Sequence, residues 1–345
     1  MLDFLCSIGY KTGVFLAVSP RLRLMKMLVT GGFGFIGSHL VERLIKDGHK
    51  VTVLDDSSTG RSENLSSSLY GVDLEVIKGS ILDEEILEEC VVRADYVFHL
   101  AAAVGVFNIV QNPLGSLLTN VRGTENVLNF SSKHGKSVFL ASSSEVYGKN
   151  TADSLKEDSD RILGNPTVLR WSYSEAKAID ESLAYAYFVE KNLQVRVVRF
   201  FNTVGPRQLG TYGMVVPRFI RAALMNEPLI IFGNGEQTRC FAHVSDVIDA
   251  IVLVAFAENT LGRVVNIGND FEISINDLAK RIIRETESKS EIKYVPYEEA
   301  YGQGFEDMER RVPNISLIRE LVGWGPKRDL TRIISDIAKE MKSSI

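Results

Sequence analysis

From Lys26 onward the chain alternates short apolar runs with longer stretches whose apolar residues recur every three to four positions. KMLVT, VTVLD, LEVIKG, DYVFHLA, SVFLASS and VRVVRF have the length and composition of buried strands. Between them, FIGSHLVERLIKDG, DEEILEECVV, PLGSLLTNVRGTENVLNFSSKHG and YSEAKAIDESLAYAYFVEKN carry a helical period. Strand, helix, strand in regular succession predicts an α/β fold of the Rossmann type, a doubly wound parallel sheet with helices on both faces. Such sheets bind ligands at the carboxyl ends of their strands, near the topological switch point. After Phe201 the rhythm loosens into loops rich in Gly, Pro and Asn. The expected layout is one domain over residues 25–201 plus about 238–268, and a smaller interleaved α/β domain over about 202–237 plus 269–345. Residues 1–24 fit neither pattern. Asp3 stands where a secretory leader would be basic, Lys11 and the late arginines interrupt the apolar run, and no small-residue cleavage site follows. A poorly ordered extension is expected there, upstream of a start at Met25 or Met27.

Composition narrows the partners. Of 345 residues, 45% are hydrophobic and 24% charged, with a net charge of -5 built from interspersed signs, so neither nucleic acid nor an anionic membrane is an expected partner. Cys6, Cys90 and Cys240 are odd in number and scattered, which suits reduced thiols better than a disulfide framework or a metal site. No metal is expected. No apolar run approaches the roughly 18 residues of a spanning helix, and a cytoplasmic protein is expected.

TGGFGFIGSHL places Gly31, Gly34 and Gly37 where the first strand turns into a helix. The first glycine permits the tight turn, the second admits a pyrophosphate to the backbone, and the third lets the helix pack on the strand. The next strand ends in Asp55-Asp56. A carboxylate there accepts from the adenosine ribose hydroxyls and repels a 2′-phosphate, which favours NAD over NADP. Arg61 is the one nearby group that suits a 2′-phosphate.

Tyr173 and Lys177 stand four residues apart on one helix face. An ammonium beside a phenol stabilises the phenolate, and Tyr173 is expected to be lowered toward neutrality and to take a proton from a sugar hydroxyl as hydride leaves. Ser143, in ASSSEVYG at the end of a preceding strand, completes a Ser-Tyr-Lys set.

Together TGGFGFIG, HLAAA, NVRGT, SSSEVYG, YSEAK and RFFNTVGPRQ resemble the extended short-chain dehydrogenase/reductases, and within them the NAD-dependent epimerase/dehydratase family acting on nucleotide sugars. The resemblance implies a NAD site formed by Gly31, Gly34, Phe35, Ile36, Gly37, Asp55 and Asp56. It extends that site to Ser80, Ile81, Leu100, Ala101, Ala102, Asn120, Ser142, Tyr173 and Lys177. Ser80 departs from the Asp that many relatives use toward adenine. For the substrate it implies a nucleoside-diphosphate sugar, in the first place a UDP-sugar, with Asn202 at the diphosphate and the strip around Val216 behind the base. Arg239 and Arg311 then grip phosphate, with Arg310 a competitor for the second role. His243 in FAHVSD is expected to be packed rather than catalytic. Relatives pair as homodimers through two long helices, here over 113–133 and 173–190.

Within the family, oxidation at C4 gives a 4-keto sugar, and later steps differ. The Asp-Glu pair of 4,6-dehydratases reads Ser144-Glu145 here, which disfavours dehydration. Ser143-Ser144-Glu145, Arg170-Trp171 and GFEDMERRVP are similar to UDP-glucuronate decarboxylases. DDSSTGRSENL and the GPRQ to GMVVPRF stretch are similar to UDP-hexose 4-epimerases. The 4-epimerase is placed slightly ahead, the decarboxylase next, with Glu145 the residue that divides them. A non-catalytic NAD-binding regulator on the same fold would have no use for Ser143, Tyr173 and Lys177.

Overall fold

The computed structural model describes residues 24–343, apart from 67, 68, 70, 72, 106–108, 110, 211–213, 302–305 and 307. The extension expected at the amino terminus, with its Cys6, lies outside the described residues except for Leu24. Seven strands form the central sheet: β1 (Lys26–Thr30), β2 (Lys50–Asp55), β3 (Leu74–Lys78), β4 (Tyr96–His99), β5 (Ser137–Ser143), β6 (Val195–Phe200) and β7 (Val264–Ile267). All run parallel, in the order β7-β6-β5-β4-β1-β2-β3. The order reverses between β1 and β4, which is where a doubly wound sheet opens a crevice.

Side chains alternate across each strand. On β1, Met27 and Val29 enter one core while Leu28 enters the other. α1 (Phe35–Lys46) covers the first face. α2 (Glu84–Arg93), α3 (Pro113–Lys133) and α4 (Ser172–Lys191) cover the second through Leu87, Val91, Val127, Leu128 and Ala184. α3 begins with Pro113 at its first position and with Asn112 Oδ1 accepting from Gly115 N, a cap and start residue that fix its entry angle. Farther along the chain come α5 (Val215–Leu224), α6 (Val244–Phe256), α7 (Ile275–Glu285) and α8 (Leu330–Lys342). α6 returns to the α1 face through Val247, Ile251 and Val254. α5, α7 and α8 enclose a separate apolar cluster that includes Phe219, Ile220, Leu278, Ile282, Ile333 and Ile337. Each such side chain taken fully out of water contributes about 1.5–3 kcal/mol.

Small strand pairs tie this cluster to the sheet. Thr203–Val204 pairs with Ala242–His243, and Thr238–Cys240 takes Glu272–Ser274 on one side and Arg310–Arg311 on the other. A cavity of about 720 Å³ lies between the carboxyl ends of the central strands and the α5 segment.

Candidate active site

The dinucleotide end of the cavity is built by the β1–α1 turn. Gly31 has φ +75°, and a Cβ there would stand 2.7 Å from Ala101 N. At Gly37 a Cβ would stand 2.1 Å from Gly31 O, so the helix sits on the turn only because that position is bare. α1 begins without a side-chain cap, which leaves its first amides for an anion. Asp55 Oδ2 accepts from Phe33 N at 2.9 Å and Oδ1 from Ser57 N at 2.8 Å, fixing the carboxylate at the cavity wall. Burial raises its pKa against the lowering by these two bonds. Asp56 lines the same end, whereas Arg61 is exposed and outside the lining. Gly34, Phe35, Ile36, Ser80, Ile81, Leu100, Ala101, Ala102 and Ser142 also line the cavity. Asn120 does not. Its amide is used on Ala103, Oδ1 accepting from N at 2.8 Å and Nδ2 donating to O at 3.1 Å, so it shapes the loop after β4.

Ser143, Glu145, Tyr173 and Lys177 meet in the middle. Ser143 Oγ accepts from Glu145 N at 3.2 Å, so its hydroxyl proton is free to turn toward the cavity and the phenol it faces. Ser142 is committed elsewhere, donating to Glu181 Oε1 at 2.6 Å. Lys177 is buried, with Nζ 3.0 Å from Asp180 Oδ2. The expected lowering of the Tyr173 pKa is not what this arrangement produces. Burial, joined by the charges of Glu145 and Asp180, outweighs Lys177 and Ser143 and holds the phenol above its ordinary value.

Glu145 bridges two guanidinium groups. Arg170 Nη1 donates to Oε2 at 2.6 Å, and Arg311 Nη1 donates to Oε1. Burial alone would raise this carboxyl, but the two arginines hold it well below the usual carboxylate range. Arg170 stacks over Trp171, 4.6 Å from the ring centroid. Arg311 Nη2 reaches Asn202 Oδ1 at 3.2 Å, and its Nε is buried with no hydrogen-bond partner among the described residues. Arg311 is therefore paired with Glu145 in the same cavity lining as Tyr173. Arg239 is its register neighbour on the adjacent strand and lines the cavity, with Nη1 donating to Thr238 O at 2.8 Å. Asn202 Nδ2 donates to Cys240 O at 3.0 Å, and Val216 is buried in the wall. His243 is packed, Nδ1 accepting from Ser245 N at 3.0 Å.

A family model for the NAD-dependent epimerase/dehydratase family matches residues 27–268. The chain belongs to that family. NAD is its cofactor, and the bare turn, the uncapped α1 and the fixed Asp55 carboxylate fit a dinucleotide. Among curated relatives, a UDP-N-acetyl-alpha-D-glucosaminuronate decarboxylase of Bacillus cytotoxicus is 42% identical over 302 residues, 87% of this chain and 92% of the relative. UDP-glucuronic acid decarboxylase 1 of Xenopus tropicalis is 36% identical over 334 residues, 95% of this chain and 75% of its own. Among solved structures, the UDP-glucose 4-epimerase of Thermotoga maritima with UDP-glucose superposes with a TM-score of 0.84 at 31% identity, covering 93% of this chain and 99% of that one.

Sequence reasoning did not place Arg170, Arg207, Arg218 or Tyr297 among the site residues, and all four line the cavity. Arg170 is three residues before Tyr173, on the short turn Leu169–Trp171 that leads into α4, and the sequence offered it only through the Arg170-Trp171 likeness to decarboxylases, with no contact to Glu145 implied. Arg207 has φ +71°, and its N–H donates to both carboxylate oxygens of Glu340, 133 residues away. No local pattern announces such a contact.

Proposed function

We propose that this enzyme decarboxylates a UDP-hexuronate through a transient 4-keto sugar. The arrangement that carries the proposal is Glu145 between Arg170 and Arg311, beside Tyr173. Arg311 retains a buried N–H, its Nε, with no hydrogen-bond partner among the described residues, to offer an anion. A uronate brings that anion; a neutral hexose does not. The decarboxylase relatives support the same reading over the 4-epimerase first expected.

Tyr173 takes the proton of the C4 hydroxyl, Ser143 holds the same oxygen, and Lys177 keeps a positive charge against the phenol. NAD supplies the acceptor for the C4 hydride, a positive charge in its oxidised form, and the return of the hydride at the end. The C4 ketone is β to the carboxylate, so the electrons of the breaking C5–C6 bond pass into the ketone, carbon dioxide leaves, and C5 takes up a proton. Glu145, ionised while both arginines hold it, is a poor donor in that state. A substrate carboxylate that draws Arg311 away removes one counter-charge, and Glu145 then rises toward the range in which it can carry the proton.

In this reading residues 25–201 with about 238–268 hold NAD, and about 202–237 with 269–345, including Asn202 and Val216, hold the UDP; Arg239, at the start of 238–268, joins them at the phosphates. Exposed Ile179, Tyr185 and Val189 on α4 suit pairing of two copies across α3 and α4. The competing UDP-hexose 4-epimerase reading draws on the Thermotoga neighbour. NMR of products from UDP-glucuronate, UDP-N-acetylglucosaminuronate, UDP-glucose and UDP-N-acetylglucosamine separates them. A UDP-pentose from either uronate supports decarboxylation; 4-epimers alone overturn it.

A further inference from the structure

Behind the Tyr173–Lys177 pair runs a line of buried polar groups that the chemistry above does not use. Lys177 Nζ pairs with Asp180 Oδ2 at 3.0 Å, and the aspartate is fully buried. Asp180 Oδ1 has no hydrogen-bond partner of good geometry among the described residues, and the Thr124 hydroxyl of α3 supplies what stabilisation reaches the carboxylate from that side. Thr124 Oγ1 is 3.2 Å from His99 Nε2, and His99 Nδ1 is 2.8 Å from Thr30 Oγ1. Thr30 Oγ1 accepts from Ala101 N at 3.3 Å, within the loop that lines the dinucleotide end.

A carboxylate only accepts, and a neutral imidazole has one donor and one acceptor. One assignment of protons satisfies the line: Thr30 donates to His99 Nδ1, His99 Nε2 donates to Thr124, and Thr124 turns its proton toward Asp180. The buried imidazole is held neutral, as this requires, because burial pushes its pKa down to about 3. Burying a lysine beside a phenol favours loss of the ammonium proton unless a counter-charge is at hand. Asp180 is that counter-charge, one turn along the same helix and outside the cavity lining.

We infer that Asp180 is a positioning residue for the reaction: it anchors the Lys177 ammonium, fixing its place and its charge against Tyr173, and is itself oriented by Thr124, His99 and Thr30. The inference rests on the proposed roles of Tyr173 and Lys177. The charged and titratable groups around this point are Asp180, Glu181 and Tyr173 on α4, His99 at the end of β4, and Glu145 after β5. Glu181 is already engaged by Ser142 and by both Arg199 Nε and Nη2, so it is no substitute for Asp180.

The test is the pH profile of kcat for Asp180→Asn, measured on the NAD-loaded enzyme with whichever nucleotide sugar the wild type converts. The alkaline limb, set by loss of the Lys177 proton, is expected to fall by about 1–3 pH units. The acid limb is expected to fall as well, because one negative charge near Tyr173 is gone. KM should change little, and Asp180→Glu should restore much of the wild-type profile. An unshifted profile overturns the inference, even if the variant is less stable. If Asp180→Asn does not fold, 13Cε-lysine NMR of the wild type reads the same property, with the Lys177 signal assigned by its loss in Lys177→Met. Titration above the ordinary lysine value supports the inference and titration below it refutes it. Should Tyr173→Phe retain turnover, the catalytic reading itself fails. A dead Tyr173→Phe with an unshifted Asp180→Asn profile removes only the role of Asp180.

Discussion

Glu145 concentrates the question of function in one side chain. Its carboxylate is part-buried and bridges guanidinium groups that lie 25 and 166 positions away in sequence. The Glu145→Gln change keeps the volume and removes the charge. Carbon dioxide release is expected to slow by about 10²–10⁴, the range for a lost acid–base group. Any 4-epimerisation of a neutral UDP-hexose should change only modestly. Comparing both reactions in one preparation separates the charge effect from general damage. Tyr173→Phe is expected to abolish turnover while calorimetry shows nucleotide-sugar affinity largely kept, because the cavity-lining arginines Arg239 and Arg311 are untouched. The Ser143, Tyr173 and Lys177 set was legible because its spacing states the geometry: i and i+4 share a helix face. The raised Tyr173 pKa was not legible, since it depends on burial and on Asp180 and Glu145 together.

At the scale of elements, the β1–α1 unit was readable nearly residue by residue. Glycine spacing and the strand-end aspartate are local, and the structure brings both to one cavity wall. The Gly37→Ala substitution puts a methyl group against Gly31 O. It is expected to cost about 1–3 kcal/mol, as overpacking does, and to weaken NAD binding, both measurable by denaturant melts and calorimetry. With the Asp55 carboxylate fixed at the cavity wall, where a 2′-phosphate would be repelled, NADP is expected to bind much more weakly than NAD, and equal affinities would overturn the proposed ribose role of Asp55. Beyond Phe201 the reading lost resolution for a physical reason. Thr238–Cys240 and Arg310–Arg311 are three and two residues long, too short for a period, and pair across about 70 positions. The neighbourhood of Arg311 to Arg239 is a product of that pairing, and its contact with Glu145 required the tertiary fold.

For the whole molecule, the buried line from Thr30 to Asp180 joins β1, β4, α3 and α4, so it bears on global stability. His99 has its pKa lowered from 6.5 to about 3, first by burial and then by the Lys177 charge. A histidine lowered in the folded state leaves stability intact above 6.5, and stability is lost as pH falls from there toward 3, where the unfolded chain takes up the proton first. The slope from this group is at most about 1.4 kcal/mol per pH unit. The stability gap between wild type and His99→Gln is therefore expected to narrow between pH 7 and pH 5 in denaturant melts. A constant gap would show that His99 is not held neutral.

The reaction is tested most directly by supplying purified protein and NAD with UDP-glucuronate and, separately, UDP-N-acetylglucosaminuronate, each labelled with 13C at C6, and measuring labelled carbon dioxide. Release from at least one of them, lost in Tyr173→Phe and strongly slowed in Glu145→Gln, is the predicted result. If the label stays on the sugar in both while UDP-glucose is converted to its 4-epimer, the decarboxylase reading is contradicted.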